Sequence, residues 1–170
     1  MNYRRILIRA TNWVGDAIMS LPALLAVRRR FPDARITLLA RPWVAGIYGA
    51  AVADDVVPYD APRGWRGTGD KLRLAGQLRA ERFDCAILLQ NAFEAAAIAY
   101  AARIPRRIGY DRDARGWLLT DPVPVPAPNE IPRHQCYYYL ELLRRAGILN
   151  DLPAVEAIRN DVEGLKSLLK

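Results

Sequence analysis

The sequence has 170 residues, of which 52% are hydrophobic and 9% aromatic, a composition typical of one globular domain with a buried core. Its longest apolar stretches, such as residues 95–102, are far shorter than the roughly 20 residues of a bilayer-spanning helix, and a strand begins almost at the N-terminus, so we expect neither an anchor nor a signal peptide. The 25 Lys and Arg against 18 Asp and Glu give a net charge of +7, which fits either an anionic partner or an arginine-rich composition without functional meaning.

The two cysteines, Cys85 and Cys136, are isolated in the sequence. Cys85 lies inside an apolar run and Cys136 precedes three tyrosines, with no CxxC pair or other ligand-like spacing around either. The single histidine, His134, cannot form a metal site alone. This pattern predicts a protein of the reducing cytoplasm without a metal site.

Strands and helices alternate from the N-terminus. Residues 5–9 predict a strand whose near-continuous apolar run suits a parallel sheet covered on both faces. Residues 17–31 have an apolar stripe and a basic face at helical spacing, and Pro22 predicts a kink or a late helix start capped by Ser20. There follow a strand at 35–40, a short helix at 43–51 and a strand at 55–59.

The alternation continues in the second half, with a helix at 71–82, a strand at 84–89, a helix at 94–102 and a strand at 107–110. Residues 121–132 hold five prolines, which indicates an extended surface crossing. Two more helices are predicted at 135–146, ended by Gly147, and at 155–169. The order predicts an α/β fold with a doubly wound parallel sheet and ligands beyond the carboxyl ends of its strands.

The first strand-to-helix loop, residues 11–16, is therefore the first place to look for a ligand. It has one glycine, and lacks both the GxGxxG pattern of dinucleotide sites and the GxxxxGK[ST] pattern of phosphate loops. It offers instead the carboxylate of Asp16 beside Gly15, and Trp13, which is large enough to cover a sugar ring. Asp16 also suits a purely structural role in the first turn of a helix, where the dipole favours negative charge. This structural role requires an ionised carboxylate, and so does the role of a general base that accepts a proton from a hydroxyl.

At these residues the chain resembles the ADP-heptose:lipopolysaccharide heptosyltransferases, glycosyltransferase family nine, and within them the heptosyltransferase II branch. The resemblance runs from about residue 6 to residue 148 and is most specific in the Gly15-Asp16 loop. The segments that carry it are residues 6–8 (ILI), 12–16 (NWVGD), 20–22 (SLP), 89–93 (LQNAF), 106–110 (RRIGY), 115–121 and 134–148.

The resemblance implies a Rossmann-like domain over residues 1–150 that binds the acceptor, the N-terminal half of a GT-B glycosyltransferase. Residues 151–170 would be a linker helix toward a C-terminal domain that binds ADP-heptose and that the sequence does not contain, so the chain alone is expected to be inactive. Transfer would invert the anomeric centre without a metal or other cofactor, with Asp16 as the base that takes the proton from a hydroxyl of the lipopolysaccharide inner core. Peripheral contact with the inner face of the inner membrane is a further expectation.

Seven residues are candidates for contact with that acceptor. The loop between residues 63 and 71 combines three cations, three glycines and a tryptophan, which suits an anionic ligand, although such composition is also common in solvated surface loops. Residues 106–115 contain a further group of arginines. The candidates are Asn12, Trp13, Arg63, Arg66, Lys71, Asn91 and Arg115.

Two other classes of function remain open at this point. A basic domain without catalytic activity could bind an anionic lipid or RNA, although no nucleic-acid motif supports RNA and none is expected as a partner. A dehydrogenase or methyltransferase domain that binds a nucleotide would have the glycine fingerprint after its first strand, which is missing.

Overall fold

The computed structural model describes residues 2–60 and 67–168. Six strands form one sheet in the order β3-β2-β1-β4-β5-β6, and every pair of neighbours is parallel. The order reverses between β1 and β4, which is the switch point where doubly wound folds bind ligands. The predicted fold class is confirmed. The strands are β1 (Arg5–Arg9), β2 (Arg35–Ala40), β3 (Asp55–Pro58), β4 (Cys85–Leu88), β5 (Arg106–Tyr110) and β6 (Asp121–Val123).

Helices cover both faces of this sheet. Because side chains alternate along a strand, Ile6 and Ile8 of β1 pack into the cluster under α1 and α5, whereas Leu7 packs into the cluster under α3 and α4. The helices are α1 (Val14–Arg30), α2 (Pro42–Ala45), α3 (Thr68–Ala80), α4 (Phe93–Ala101), α5 (Cys136–Arg145) and α6 (Val155–Leu168), and a short 3-10 turn occupies Gly116–Leu118.

Helix α1 begins earlier than the sequence pattern predicts. It starts at Val14 and continues through Pro22 to Arg30, so the late start capped by Ser20 is wrong. The Ser20 hydroxyl instead donates a hydrogen bond of 2.7 Å to the carbonyl of Ala17 inside the helix. The early start matters for the site, because it places Asp16 in the first turn.

The proline-rich segment contains a strand that the sequence pattern did not predict. Residues 121–123 form β6, which pairs with β5 at the edge of the sheet. Pro122 is tolerated there because an edge strand needs hydrogen bonds on one side only. Helix α2 is also shorter than predicted, ending at Ala45.

The C-terminal helices pack onto α1. Gly147 follows α5 with a φ of 71°, the left-handed conformation of a helix stop, as predicted. Ile158 of α6 packs against the core on the α1 side, and Arg29 of α1 pairs with Asp161 of α6. Helix α6 is therefore attached to this domain.

Candidate active site

The loop after β1 is held in place by its neighbours at the carboxyl edge, the side of the sheet on which its six parallel strands end. The Asn12 side-chain oxygen accepts a 3.2 Å hydrogen bond from Arg9, and its backbone carbonyl accepts one of 2.8 Å from the Trp43 indole. Trp13 follows with 70% of its surface exposed, and a Cβ added to Gly15 would meet no atom within 4 Å. The loop thus presents one large aromatic surface and an open backbone to solvent.

Asp16 is half-buried in the first turn of α1. Within the described residues, no hydrogen bond joins its carboxylate to a backbone N–H of its own helix. Its neighbour is Tyr139 on α5: burial raises the pKa of the Tyr139 hydroxyl, the Gln135 side chain lowers it, and the negative charge of the nearby Asp16 raises it further. A carboxylate held this way, at the positive end of α1, is able to accept a proton from a ligand hydroxyl.

Asn91 lies next to the same part of α5. Its amide donates a 3.0 Å hydrogen bond to the hydroxyl of Tyr138, the residue beside Tyr139, and its oxygen accepts one of 3.2 Å from Arg115. Adjacent tyrosines of α5 therefore connect the loop after β4 with Asp16 in α1. The structure brings Asn12, Asp16 and Asn91 together at the carboxyl edge, as their positions after β1 and β4 predict.

Arg115 is fully buried behind this loop. It donates hydrogen bonds to the carbonyls of Tyr110, Gln90 and Ala92, and burial lowers its pKa to about 10. A side chain on Gly109 would crowd it, since an added Cβ would lie 3.2 Å from an Arg115 nitrogen. The guanidinium positions the Asn91 loop from inside and does not reach the surface.

A second group of polar side chains lies at this edge, and the sequence pattern did not predict it. Its members are Arg9, Arg41, Tyr59 and Glu94. Arg9 and Arg41 are 1% and 5% exposed, and their guanidinium carbons lie 5.6 and 5.2 Å from the centre of the Tyr59 ring. The Tyr59 hydroxyl donates a 3.2 Å hydrogen bond to Glu94, which lies 3.9 Å from Arg41. Burial, and then the charge of Arg41, lower the pKa of Arg9 to about 10. We call these four residues the basic cluster.

Lys71 joins the basic cluster from α3. Its ammonium lies 2.8 Å from the Glu94 carboxylate, and its side chain is mostly covered. The other two candidates of the same loop, Arg63 and Arg66, lie outside the described residues. Lys71 therefore belongs to the edge of the site by contact with Glu94.

The missed residues had weak signals in the sequence. Arg41 directly follows a strand and precedes Pro42, and Glu94 occupies the first turn of the helix after β4, positions that meet at the carboxyl edge. The helical spacing of Tyr139 in α5 is typical of a core residue. Tyr139 is 4% exposed, but its hydroxyl also interacts electrostatically with Asp16.

The described part of the chain contains neither a metal-binding cluster nor a membrane-spanning helix. Within residues 2–60 and 67–168, no set of three or more His, Cys, Asp or Glu side chains is arranged to hold a metal ion. Each helix in those ranges is too short or too polar to span a bilayer.

Comparison with known proteins identifies the family. The family model of glycosyltransferase family 9 (heptosyltransferase) matches residues 71–159, just over half of the chain. The chain belongs to glycosyltransferase family 9. Lipopolysaccharide heptosyltransferase 2 of Salmonella typhimurium is 32% identical to this family 9 chain over 118 residues, and that of Escherichia coli is 30% identical over the same length. These matches cover 69% of the chain and 34% of each relative, so the chain spans about a third of the length of the curated relatives it matches.

Solved structures of the family share the fold. The E. coli ADP-heptose lipopolysaccharide heptosyltransferase II matches this family 9 chain with a TM-score of 0.71 and 27% identity, covering 88% of the chain and 44% of that protein. A family 9 glycosyltransferase from Veillonella parvula matches with a TM-score of 0.75 at 19% identity, over 87% of the chain and 42% of that protein. The sheet described above is thus the one these glycosyltransferases contain.

Proposed function

We propose that this chain is the acceptor-side domain of an inverting glycosyltransferase that moves heptose from ADP-heptose to the inner core of lipopolysaccharide. The observation that carries the proposal is the position of Asp16, half-exposed at the carboxyl edge and free of hydrogen bonds to its own helix among the described residues. The heptosyltransferase 2 relatives support the substrate assignment. Residues 1–150 would form this domain, and residues 151–170 would lead toward a second domain that binds most of the donor.

In the proposed reaction, Asp16 accepts the proton of an acceptor hydroxyl. The oxygen attacks C1 of the heptose from the side opposite ADP, the new C–O bond forms as the bond from C1 to the phosphate oxygen breaks, and ADP leaves with that electron pair. The configuration at C1 is inverted. Tyr139 faces the carboxylate from α5 during this step, because its hydroxyl and Asp16 interact electrostatically.

The neighbouring groups would bind and orient the acceptor. Trp13 offers an exposed ring for a sugar face, and Asn12 and Asn91 flank Asp16 on the loops after β1 and β4. Arg115 acts on the acceptor through Asn91, since its own guanidinium is enclosed. The positive potential of the basic cluster and Lys71 favours the anionic groups of an inner core.

This assignment also proposes a location. Lipopolysaccharide precursors are lipid-anchored, so the domain would work in the cytoplasm, in peripheral contact with the inner face of the inner membrane.

The test uses a hybrid enzyme that joins residues 1–170 to the C-terminal half of the S. typhimurium relative, where the family resemblance puts donor binding. With ADP-heptose and a heptose-deficient inner-core acceptor, we expect ADP release and an acceptor that gains one heptose by mass spectrometry. Omitting the acceptor, or replacing the donor by UDP-glucose, should abolish product. A hybrid that is folded and binds ADP, yet transfers no heptose to any inner-core acceptor, would contradict the proposal.

A binding measurement isolates the contribution of this chain. By calorimetry, the 170-residue chain alone should bind the inner-core oligosaccharide more tightly than ADP, because the acceptor contacts are the ones it contains. Tighter binding of ADP than of the acceptor would reverse the assignment of the two sides.

A further inference from the structure

Helix α4 has an apolar outer face. Phe93, Ala97, Tyr100 and Ala101 recur at helical spacing on the side away from the sheet, where a surface helix normally has polar residues. The inner side of the same helix is also apolar, with Ala96 and Ala99 packed into the core. A helix that is apolar on both sides indicates that something covers its outer side.

Three aromatic rings and a leucine extend this surface. The Trp117 ring centre lies 6.2 Å from that of Phe93 and 6.3 Å from that of Tyr100. The four side chains that we call the aromatic face are large, apolar and exposed: Leu72 62%, Phe93 45%, Tyr100 52% and Trp117 71%. Leu72 and Phe93 line a depression of about 580 Å³ between α3 and α4.

Cations border the aromatic face. The guanidinium carbon of Arg107 lies 5.4 Å from the centre of the Tyr100 ring, and Arg103 lines a second depression beside it. Lys71 lies on the opposite border. Among the described residues that line these two depressions, Glu94 is the one acid, and Lys71 pairs with it. The border therefore has a surplus of positive charge.

We propose that the aromatic face is the surface by which this domain rests on an anionic lipid membrane. Tryptophan and tyrosine prefer the boundary between lipid headgroups and acyl chains, and arginine and lysine at the border attract anionic headgroups. A second copy of the chain fits this charge pattern poorly, because a two-fold contact would place like charges from both copies side by side.

The position of the aromatic face relative to the site gives the contact a purpose. Phe93 follows Asn91 by two residues, and Glu94 belongs to the basic cluster. Phe93 begins α4 at the carboxyl edge, so a membrane under the aromatic face would reach the edge where a lipid-anchored acceptor has to be bound. This inference deepens the proposed function, on which it depends for the presence of a membrane substrate.

The test is cosedimentation of the 170-residue chain with vesicles of phosphatidylethanolamine and phosphatidylglycerol, and with vesicles of phosphatidylcholine alone. We expect binding to the anionic vesicles, weaker binding to the neutral ones, and a decrease with added salt. Trp117→Ser and Phe93→Ser should each weaken binding on the order of tenfold, the effect of removing one buried aromatic side chain. Arg103→Glu should weaken it about fivefold or more.

Matched controls distinguish vesicle binding by the aromatic face from nonspecific binding through other exposed side chains. Val155 is 54% exposed, between Phe93 and Leu72, but it begins α6 on the opposite face of the sheet, so Val155→Ser should bind vesicles as the unchanged chain does. Arg30→Glu, at the end of α1, is the charge control. Circular dichroism should show each variant folded, and Leu72→Ser replaces any that is not.

Several results would overturn the proposal: no binding to the anionic vesicles, equal loss in Val155→Ser and Phe93→Ser, equal binding to phosphatidylcholine, or binding of RNA or self-association in place of vesicles. The assay contains neither sugar nucleotide nor acceptor. A failed membrane contact is therefore distinguishable from a failed transferase assignment, which the hybrid enzyme tests with a soluble acceptor.

Discussion

The arginines at the carboxyl edge differ in their partners from those at the amino edge, the opposite side of the sheet on which the parallel strands begin. At the amino edge, the arginines that begin β1, β2 and β5 pair with carboxylates on partly exposed surfaces: Arg5 with Glu81, Arg35 with Asp55, and Arg106 with Asp121. At the carboxyl edge, Arg9 and Arg115 are buried and donate mainly to backbone carbonyls, whereas the buried Arg41 also pairs with Asp60. The three arginines of the amino edge are matched by carboxylates, whereas Arg9 and Arg115 form no ion pair within the described residues.

This difference separates structural ion pairs from a binding site. Exposed pairs between neighbouring elements contribute little to stability and leave no charge for a ligand. Buried guanidiniums bonded to carbonyls fix the loops around them and keep their positive charge, which favours an anionic ligand at the same edge. Net charge alone, at +7, could not reveal where that positive charge is concentrated.

Replacing Arg115 should have the largest effect on stability. Arg115→Met leaves the carbonyls of Gln90, Ala92 and Tyr110 without their buried donor, so we expect the free energy of unfolding to fall by about 3 kcal/mol. Urea denaturation measures this. Arg112→Met, at an exposed position three residues earlier, is the matched control, and an equal loss in both variants would contradict the structural role of Arg115.

Replacing Asp121 at the amino edge should have a smaller, pH-dependent effect. Burial alone would raise the pKa of Asp121, but hydrogen bonds from Arg106 and Thr120 lower this pKa below its ordinary value in the folded chain. The unfolded chain therefore binds a proton more readily, and this contribution to stability is present above the ordinary aspartate pKa and lost as pH falls through the lowered folded value. Asp121→Asn should cost about 1 kcal/mol at pH 7.

Denaturation curves between pH 7 and pH 2 check this second prediction. The difference between Asp121→Asn and the unchanged chain should shrink as the solution becomes more acidic. A difference that grows toward low pH would mean that the sign is wrong.

The smallest effect is expected for Arg35, whose pair with Asp55 is exposed on both sides. Arg35→Gln should leave the thermal midpoint unchanged within error, because solvent screens such a pair. Differential scanning calorimetry measures it. A clear drop would show that the amino edge also depends on its arginines, and the contrast between the edges would fail.

The sequence predicted the parts of this molecule that depend on local pattern. Five of the six strands and the order of helices follow from apolar runs and helical spacing, and Asp16, Asn12 and Asn91 follow from their positions after β1 and β4. Strand β6 was missed because Pro122 argues against a strand, and only the pairing with β5 makes the edge position visible.

The contacts that define the site depend on residues far apart in the chain. Tyr139 approaches Asp16 from a helix more than 100 residues later, and Tyr59 lies near both Arg9 and Arg41 only because β1, β2 and β3 are neighbours. The burial of Arg115 likewise depends on the loop after β4 closing over it. Spacing along one chain does not contain this information.

The role of Asp16 is tested most directly by Asp16→Asn in the hybrid enzyme, with Asp33→Asn, an exposed aspartate beyond the end of α1, as the matched control. Asparagine keeps the size of the side chain but cannot accept the proton, so kcat should fall on the order of a thousandfold while acceptor binding changes by less than about twofold. Asp33→Asn should transfer heptose at the unchanged rate. Near-normal kcat in Asp16→Asn would show that another group takes the proton and would contradict the account of this site.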